Sequence, residues 1–224
     1  MKYYDTKDIE YFTGTRLDVI SLLPDNPEQK ILEIGAGGGD TLAFIKQNNL
    51  AKEVIGFELF KIPASNQENK NIDKFIFGNI EEVEIPIEEN YFDIVIMADV
   101  LEHLIDPWGA ITKAEKVLKK GGKLIISVPN IRDISTFFKI YIKGDFAYNP
   151  EGGVLDKTHI RFFCKRNILN LATSDNLKPI FSCPSFKRGG GYGTKKRNAI
   201  NKISLGLIEQ FLAIQYLVVS EKTN

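Results

Sequence analysis

The run Ile31-Leu32-Glu33-Ile34-Gly35-Ala36-Gly37-Gly38-Gly39-Asp40 constrains this chain more than any other stretch. An apolar segment runs straight into a glycine cluster, and Thr41 to Gln47 then reads as a helix. Glycines permit positive φ and let a ligand lie against the main chain. A helix opening beyond them offers N–H groups with no intrahelical partner. Glu58 closes the next apolar segment, Glu53 to Phe57. A carboxylate at the end of a second strand can accept both hydroxyls of a ribose. These are the parts of an adenosine site at the carboxyl edge of a parallel sheet.

The rest of the first half repeats the alternation. Lys74 to Phe77, Phe92 to Ala98 and Lys123 to Val128 are further strand candidates. Their apolar runs are continuous, as in strands buried on both faces. Asp106 is a plausible N-cap with Pro107 at the first helical position; Ile111, Ala114 and Leu118 line one face, and Gly121-Gly122 would end that helix. The alternation predicts a doubly wound α/β fold with right-handed crossovers. Residues 7–22 read as a covering N-terminal helix, Ile134 to Ile142 as another and Ala199 to Leu212 as a third. Pro179 to Ser182 and Gln215 to Ser220 read as a closing strand pair, and Arg188 to Gly193 as a flexible stretch. No linker divides the chain. The expectation is one domain over residues 1–224, with a cofactor-binding core at 30–130 and acceptor-side loops at 131–164 and 184–200.

Spacing separates two cofactors. The dinucleotide fingerprint GxGxxG, started at Gly35, needs a glycine where this chain has Asp40. A carboxylate at a helix mouth repels a pyrophosphate. A phosphate-free adenosine ligand such as S-adenosylmethionine meets no such repulsion.

Taken together, ILEIGAGGGD, GFELF, FGNIEE, FDIVIMADVLEHLIDP and LKKGGKLIISVPN resemble the motif set of class I S-adenosylmethionine-dependent methyltransferases. The resemblance implies a Rossmann-like, mostly parallel seven-stranded sheet with an antiparallel last strand. It also implies roles at matching positions. Glu33, Gly35, Ala36, Gly37 and Gly39 form the first motif, with residues 35–37 under the methionine part of the cofactor. Glu58 would hold the ribose, and Leu59 and Ile80 would flank the adenine. Asn79 would accept a hydrogen bond from the adenine amino group, an asparagine where many relatives have aspartate. Ala98 and Asp99 would face the cofactor's amino group and the methyl in transfer.

A narrower resemblance covers residues 131–163. Gly152-Gly-Val-Leu-Asp156-Lys-Thr158-His159-Ile-Arg161-Phe162-Phe163 is similar to a segment of bacterial methyltransferases encoded near genes for surface polysaccharides. The N-terminal pattern of Tyr3, Tyr4, Arg16, Leu23 and Pro24 and the closing QYLVVSEK agree with that group. The implied acceptor is a small molecule or a glycan, and the implied reaction O-methylation of a sugar. A sugar hydroxyl benefits from a base near its proton, and histidine suits that task. The chain has two histidines, His103 and His159. His159 is the first candidate base; its alternative is a loop-fixing role. His103 is the second candidate; it would otherwise face the cofactor or cap the next helix. Arg161 either meets an acidic group of the acceptor or pairs with Asp156. Tyr148, Phe146 and Trp108 either stack on a sugar ring or pack within the loop. The basic run Lys187 to Arg197 either closes over an anionic acceptor or is a solvated loop.

Composition excludes some classes. Lys+Arg and Asp+Glu both number 29, so bulk charge does not drive nucleic-acid binding. The balance hides an acidic first hundred residues and a basic remainder. Cys164 and Cys183 form no CxxC and no metal-ligand cluster, so no metal site is expected and reduced thiols in the cytoplasm are the simplest account. Residues 1–12 lack the apolar core of a signal peptide, and Leu205 to Ser220 is too polar to be a transmembrane segment. Two alternatives stay open: an NAD-dependent oxidoreductase or epimerase on a related sheet, and a non-catalytic S-adenosylmethionine-binding protein. The oligomeric state is not readable.

Overall fold

The computed structural model describes residues 7–186 and 192–224. Seven strands form one sheet: β1 Lys30–Ile34, β2 Glu53–Glu58, β3 Lys74–Phe77, β4 Phe92–Ala98, β5 Leu118–Pro129, β6 Leu177–Ser185 and β7 Gln215–Lys222. Their order is β3-β2-β1-β4-β5-β7-β6. The first five run parallel, and β7 is antiparallel to both its neighbours. The expected architecture therefore holds, with the strand order reversing beside β1.

The continuous apolar runs are explained by burial on both faces. Leu32, Ile34, Phe57, Val95, Met97 and Ile126 pack into one core. Their neighbours Ile31, Val54, Ile94, Ile96 and Ile125 pack into a second core on the opposite face. Removing such a side chain from water stabilises the fold by about 1.5–3 kcal/mol each.

The helices are α1 Leu17–Ile20, α2 Asp40–Gln47, α3 Pro107–Val117, α4 Ile134–Phe137, α5 Lys165–Leu171, α6 Tyr192–Ile203 and α7 Glu209–Leu212. The Asp106 cap of α3 is present: its carboxylate accepts the Gly109 N–H at 3.0 Å. α4 continues as a π-helical turn to Ile142, which matches the helix expected there.

Three sequence expectations need correction. Residues 7–22 are not one helix; a short 3-10 turn, Ile9–Phe12, and α1 are separated by an extended segment. Gly121-Gly122 does not end α3, which stops at Val117; the glycines lie within β5. The reason is that Leu118 already pairs with Phe92, so strand pairing overrides the helix pattern there. The helix expected from Ala199 to Leu212 begins earlier and is broken by positive φ at Leu205 and Gly206. Most of the flexible stretch expected at Arg188 to Gly193 lies outside the described residues, as do Tyr3 and Tyr4.

The end of β7 is anchored by a lysine. Lys222 Nζ donates to the carbonyls of Glu115 and Leu118, both at 2.8 Å, and to Asn90 at 3.0 Å. It thereby caps the carbonyl end of α3 and ties the last strand to the sheet.

Candidate active site

The carboxyl ends of β1, β2 and β4 open into one cavity of about 410 Å³. Its floor follows from the glycine turn. Gly35 N–H and Ala36 N–H both donate to Phe57 O, at 2.8 and 3.2 Å, which folds the turn back across β2. Gly35 has φ +72°, and a Cβ there would lie 2.0 Å from Val100 Cγ2. Gly37 has φ +51°, and its Cβ would meet the Phe12 carbonyl oxygen at 2.6 Å. Both positions require glycine, and the result is bare main chain at the cavity floor.

Glu58 stands at the rim. Its Oε2 accepts the Gly37 N–H at 2.8 Å and its Oε1 the Leu59 N–H at 2.7 Å. Each oxygen retains a lone pair that a pair of ligand hydroxyls can use. Burial raises the Glu58 pKa, and the two N–H groups oppose that rise. Glu58→Ala removes this acceptor and releases the glycine turn. Cofactor binding is expected to weaken by about 1–3 kcal/mol, read by calorimetry; unchanged affinity would remove Glu58 from the ribose position.

Glu33 lines the same cavity, is buried, and has Oε2 without a hydrogen-bond partner. Burial pushes its carboxyl up to about 8; Arg16 opposes the shift, and Glu58 and Asp40 add to it. Such a carboxyl is satisfied when a ligand brings a cation or a donor. Asp99 also lines the cavity, but Arg16 and Gln215 both donate to its carboxylate. Arg16 donates as well to Asp18 Oδ1 at 2.9 Å and Ser127 Oγ at 2.8 Å. Burial works against its charge, but Asp99, then Asp18 and Glu33, outweigh burial and keep it cationic.

Ile80, Asn79 and Leu59 line the far end with Phe57 and Phe60. Asn79 Oδ1 accepts the Glu81 N–H at 3.0 Å, and its amide donates to Glu82 at 2.9 Å. Asp40, whose charge separated the two cofactors, accepts from Gly14 N–H at 3.0 Å and Asn66 at 2.8 Å.

The end of the cavity at which the sequence places the acceptor is built by two segments. The 3-10 turn Leu101–His103 follows β4, and residues 149–159 fold over it. Ile160 and Arg161 each donate a backbone N–H to Glu102 O at 3.0 Å. Asp156 organises the second segment: it accepts Thr158 N–H and Oγ1, both at 2.8 Å, and pairs with Lys7 at 2.7 Å. His159 and His103 meet edge to face, with ring centroids 4.7 Å apart. His159 Nδ1 donates to Val154 O at 3.0 Å and His103 Nδ1 to Thr158 O at 3.2 Å. Burial lowers both imidazoles; His103 is pushed down to about 4, with His159 as the second cause. Both shifts favour the neutral ring.

Glu33, Gly35, Ala36, Gly37, Glu58, Leu59, Asn79, Ile80, Ala98, Asp99, His103 and His159 thus line one cavity. Three expected residues do not. Gly39 starts α2 and faces Ile72 and Phe75. Arg161 donates to Ile105 O and lies over Trp108, while Asp156 takes Lys7 instead. Tyr148 packs with Phe146 and Phe162, so loop packing holds these aromatics. Glu102, Arg16 and Gln215 line the cavity without having been assigned to it. For Glu102, the adjacency of an acid to His103 just after β4 was the available signal.

The cavity carries Glu33, Glu58, Asp99, Glu102 and Asp156 against Arg16. Arg16 is already paired with Asp99 and Asp18, so a diphosphate finds no free cation among the lining residues, whereas a ligand's ammonium can meet the unpaired Glu33 oxygen. The glycine cradle and the orphaned Glu33 oxygen fit S-adenosylmethionine. Comparison with known proteins agrees. Residues 8–180 match a family of methyltransferase domains. The chain belongs to that family. It carries a class I S-adenosylmethionine-dependent methyltransferase domain, and S-adenosylmethionine is the cofactor such a domain takes.

Among relatives, a ubiquinone/menaquinone biosynthesis C-methyltransferase of Vibrio cholerae is 29% identical over 138 residues, 58% of this chain and 52% of its own. A ubiquinone biosynthesis O-methyltransferase of Acinetobacter baylyi is 29% identical over 121 residues, 50% and 48% of the two chains. This chain spans about half the length of the curated relatives it matches. A solved S-adenosylmethionine-dependent methyltransferase of Mesorhizobium loti shares the fold, with a TM-score of 0.64, 14% identity and coverage of 92% and 96%. No helix among the described residues is long and apolar enough to cross a membrane.

Proposed function

We propose that this methyltransferase domain moves a methyl group from S-adenosylmethionine to a hydroxyl oxygen of a small polar acceptor, a sugar or a glycan unit. The observation that supports this reading is the polarity of the acceptor end. Glu102, His103, His159, Asp99, Arg16 and Gln215 line it together. Buried polar groups reject a ligand that leaves them unpaired, and a hydroxylated acceptor pairs them. The cofactor supplies a methyl on a sulfonium sulfur. The chain's task is to align the acceptor oxygen with that methyl in a pocket shielded from water. The hydroxyl is deprotonated at the end of the cavity lined by Glu102, His103 and His159.

The relatives' names include both carbon and oxygen methylation, so the acceptor atom is read from this site alone. Cys164 and Cys183 are both free thiols, which supports a reducing cytoplasmic setting. We keep the single-domain reading of residues 1–224, because β6 and β7 extend the same sheet as the cofactor core.

The test is release of S-adenosylhomocysteine over a panel of monosaccharides, nucleotide sugars, glycans, phenols and quinones. Turnover with hydroxylated sugars is expected. Turnover confined to a ring carbon of a quinone would overturn the acceptor assignment, and cofactor binding without turnover on any acceptor would favour a non-catalytic binding protein. His159→Ala is expected to lower turnover by roughly 10²–10⁴-fold with cofactor affinity unchanged. Turnover at the wild-type rate would remove His159 from the acceptor site.

A further inference from the structure

Glu102 is 1% exposed, and neither carboxylate oxygen has a hydrogen-bond partner. A buried carboxyl in that state is costly unless a charge or a donor reaches it. The nearest ring nitrogen, His159 Nε2, is 3.9 Å from Oε1, too far for a hydrogen bond. Nothing else in the described chain satisfies it.

The two histidines beside it are set up in a particular way. A carbonyl oxygen can only accept, so the bonds to Val154 O and Thr158 O put the proton on Nδ1 in both rings. In the neutral ring, Nε2 then carries the lone pair. Metal-binding imidazoles are oriented by this device, a backbone carbonyl fixing the tautomer from behind. The two N–H bonds from Ile160 and Arg161 to Glu102 O hold the His159 segment against the turn that carries Glu102 and His103. One ligand atom from each of the three side chains lies within 4.8 Å of the others. Around a tetrahedral ion with bonds of about 2.0–2.1 Å, ligand atoms stand roughly 3.3 Å apart. Side-chain rotation has to close a difference of at most about 1.5 Å.

We propose that Glu102, His103 and His159 bind a divalent first-row transition ion of the zinc or manganese class at the acceptor end of the cavity. One carboxylate and two imidazoles form a nitrogen–oxygen donor set suited to such ions, and three protein ligands leave a coordination position open. The purpose of the ion rests on the methyl-transfer reading; its binding does not. Coordination of the acceptor hydroxyl lowers the pKa of that hydroxyl, and its proton leaves to solvent. The oxygen then forms the new O–C bond as the C–S bond breaks, and the pair from that bond returns to sulfur as a neutral thioether.

The experiment uses the full chain, stripped with a chelator and dialysed against Zn²⁺ or Mn²⁺. One ion per chain is expected. Glu102→Gln and His159→Ala are each expected to weaken ion binding at least tenfold while S-adenosylmethionine affinity stays within twofold, which also shows that the variants fold. If a variant does not fold, X-ray absorption at the zinc edge of the wild-type protein decides, with two imidazoles expected at the metal. No stoichiometric ion, wild-type ion affinity in both variants, or an absorption spectrum without imidazole would overturn the site. Ion binding without turnover on any acceptor would leave the site standing and sink the methyl-transfer reading alone.

Discussion

Asp156→Ala is expected to lower the unfolding free energy by about 3 kcal/mol, the low end for breaking a buried ion pair. Lys7 and Asp156 are 4% and 1% exposed in their side chains. Without Asp156, Lys7 keeps the Pro150 carbonyl at 2.8 Å and the face of the Tyr11 ring at 4.0 Å, and Thr158 loses the carboxylate that accepts both its N–H and its hydroxyl. Lys7→Met should cost less, because Asp156 keeps its two bonds from Thr158. The consequence reaches the site, since the side-chain bonds of Asp156 hold in place the backbone carbonyl that accepts the His159 N–H at 3.0 Å. Residues 149–159 should loosen while the glycine turn stays intact. Urea unfolding and calorimetry check both halves: a loss near 3 kcal/mol with cofactor affinity nearly unchanged. A variant as stable as wild type would show that the pair does not hold the acceptor segment. The Asp156 carboxyl is held below its ordinary value, by Lys7 and Thr158 against the cost of burial. A depressed folded pKa stabilises above the unfolded pKa and is lost as pH falls through the folded one. The difference between wild type and variant should therefore shrink in acid, below the ordinary carboxylate range.

The parts of this molecule legible in the sequence are those fixed by local chemistry. Continuous apolar runs marked β1, β2, β4 and the main part of β5, because burial on both faces leaves no alternation. The glycine turn and Glu58 were legible because backbone conformation and close approach dictate residue type. The acceptor end was legible only as a pair of histidines. Its geometry depends on the backbone bonds between Glu102 and residues 160–161, which bring distant segments together. Arg161 and Asp156 show why proximity in sequence misled: the carboxylate found Lys7, from the far end of the chain. Gly121-Gly122 misled for the opposite reason, since a helix-stop signal was overridden by a strand already paired at Leu118.

Gly35→Ala is expected to weaken S-adenosylmethionine binding by at least 100-fold. Two effects combine. A left-handed φ of +72° costs an L-residue roughly 1–2 kcal/mol. The added Cβ would also lie 2.0 Å from Val100 Cγ2 and 3.3 Å from Val100 Cβ, so Val100 or the turn must move. Neither movement is innocent. The turn is pinned to Phe57 O by the N–H groups of residues 35 and 36, and Val100 links Asp99 to the Leu101–His103 turn. Displacing Val100 shifts the acceptor end; displacing the turn takes Gly37 N–H away from Glu58. The double variant Gly35→Ala/Val100→Ala separates the effects, because it relieves the clash and keeps the backbone cost. It should recover about tenfold of the lost affinity, the remainder reflecting the φ that alanine resists. Calorimetric titration of the three proteins reads both steps. Single-variant affinity within twofold of wild type would mean that the cofactor does not rest on this turn.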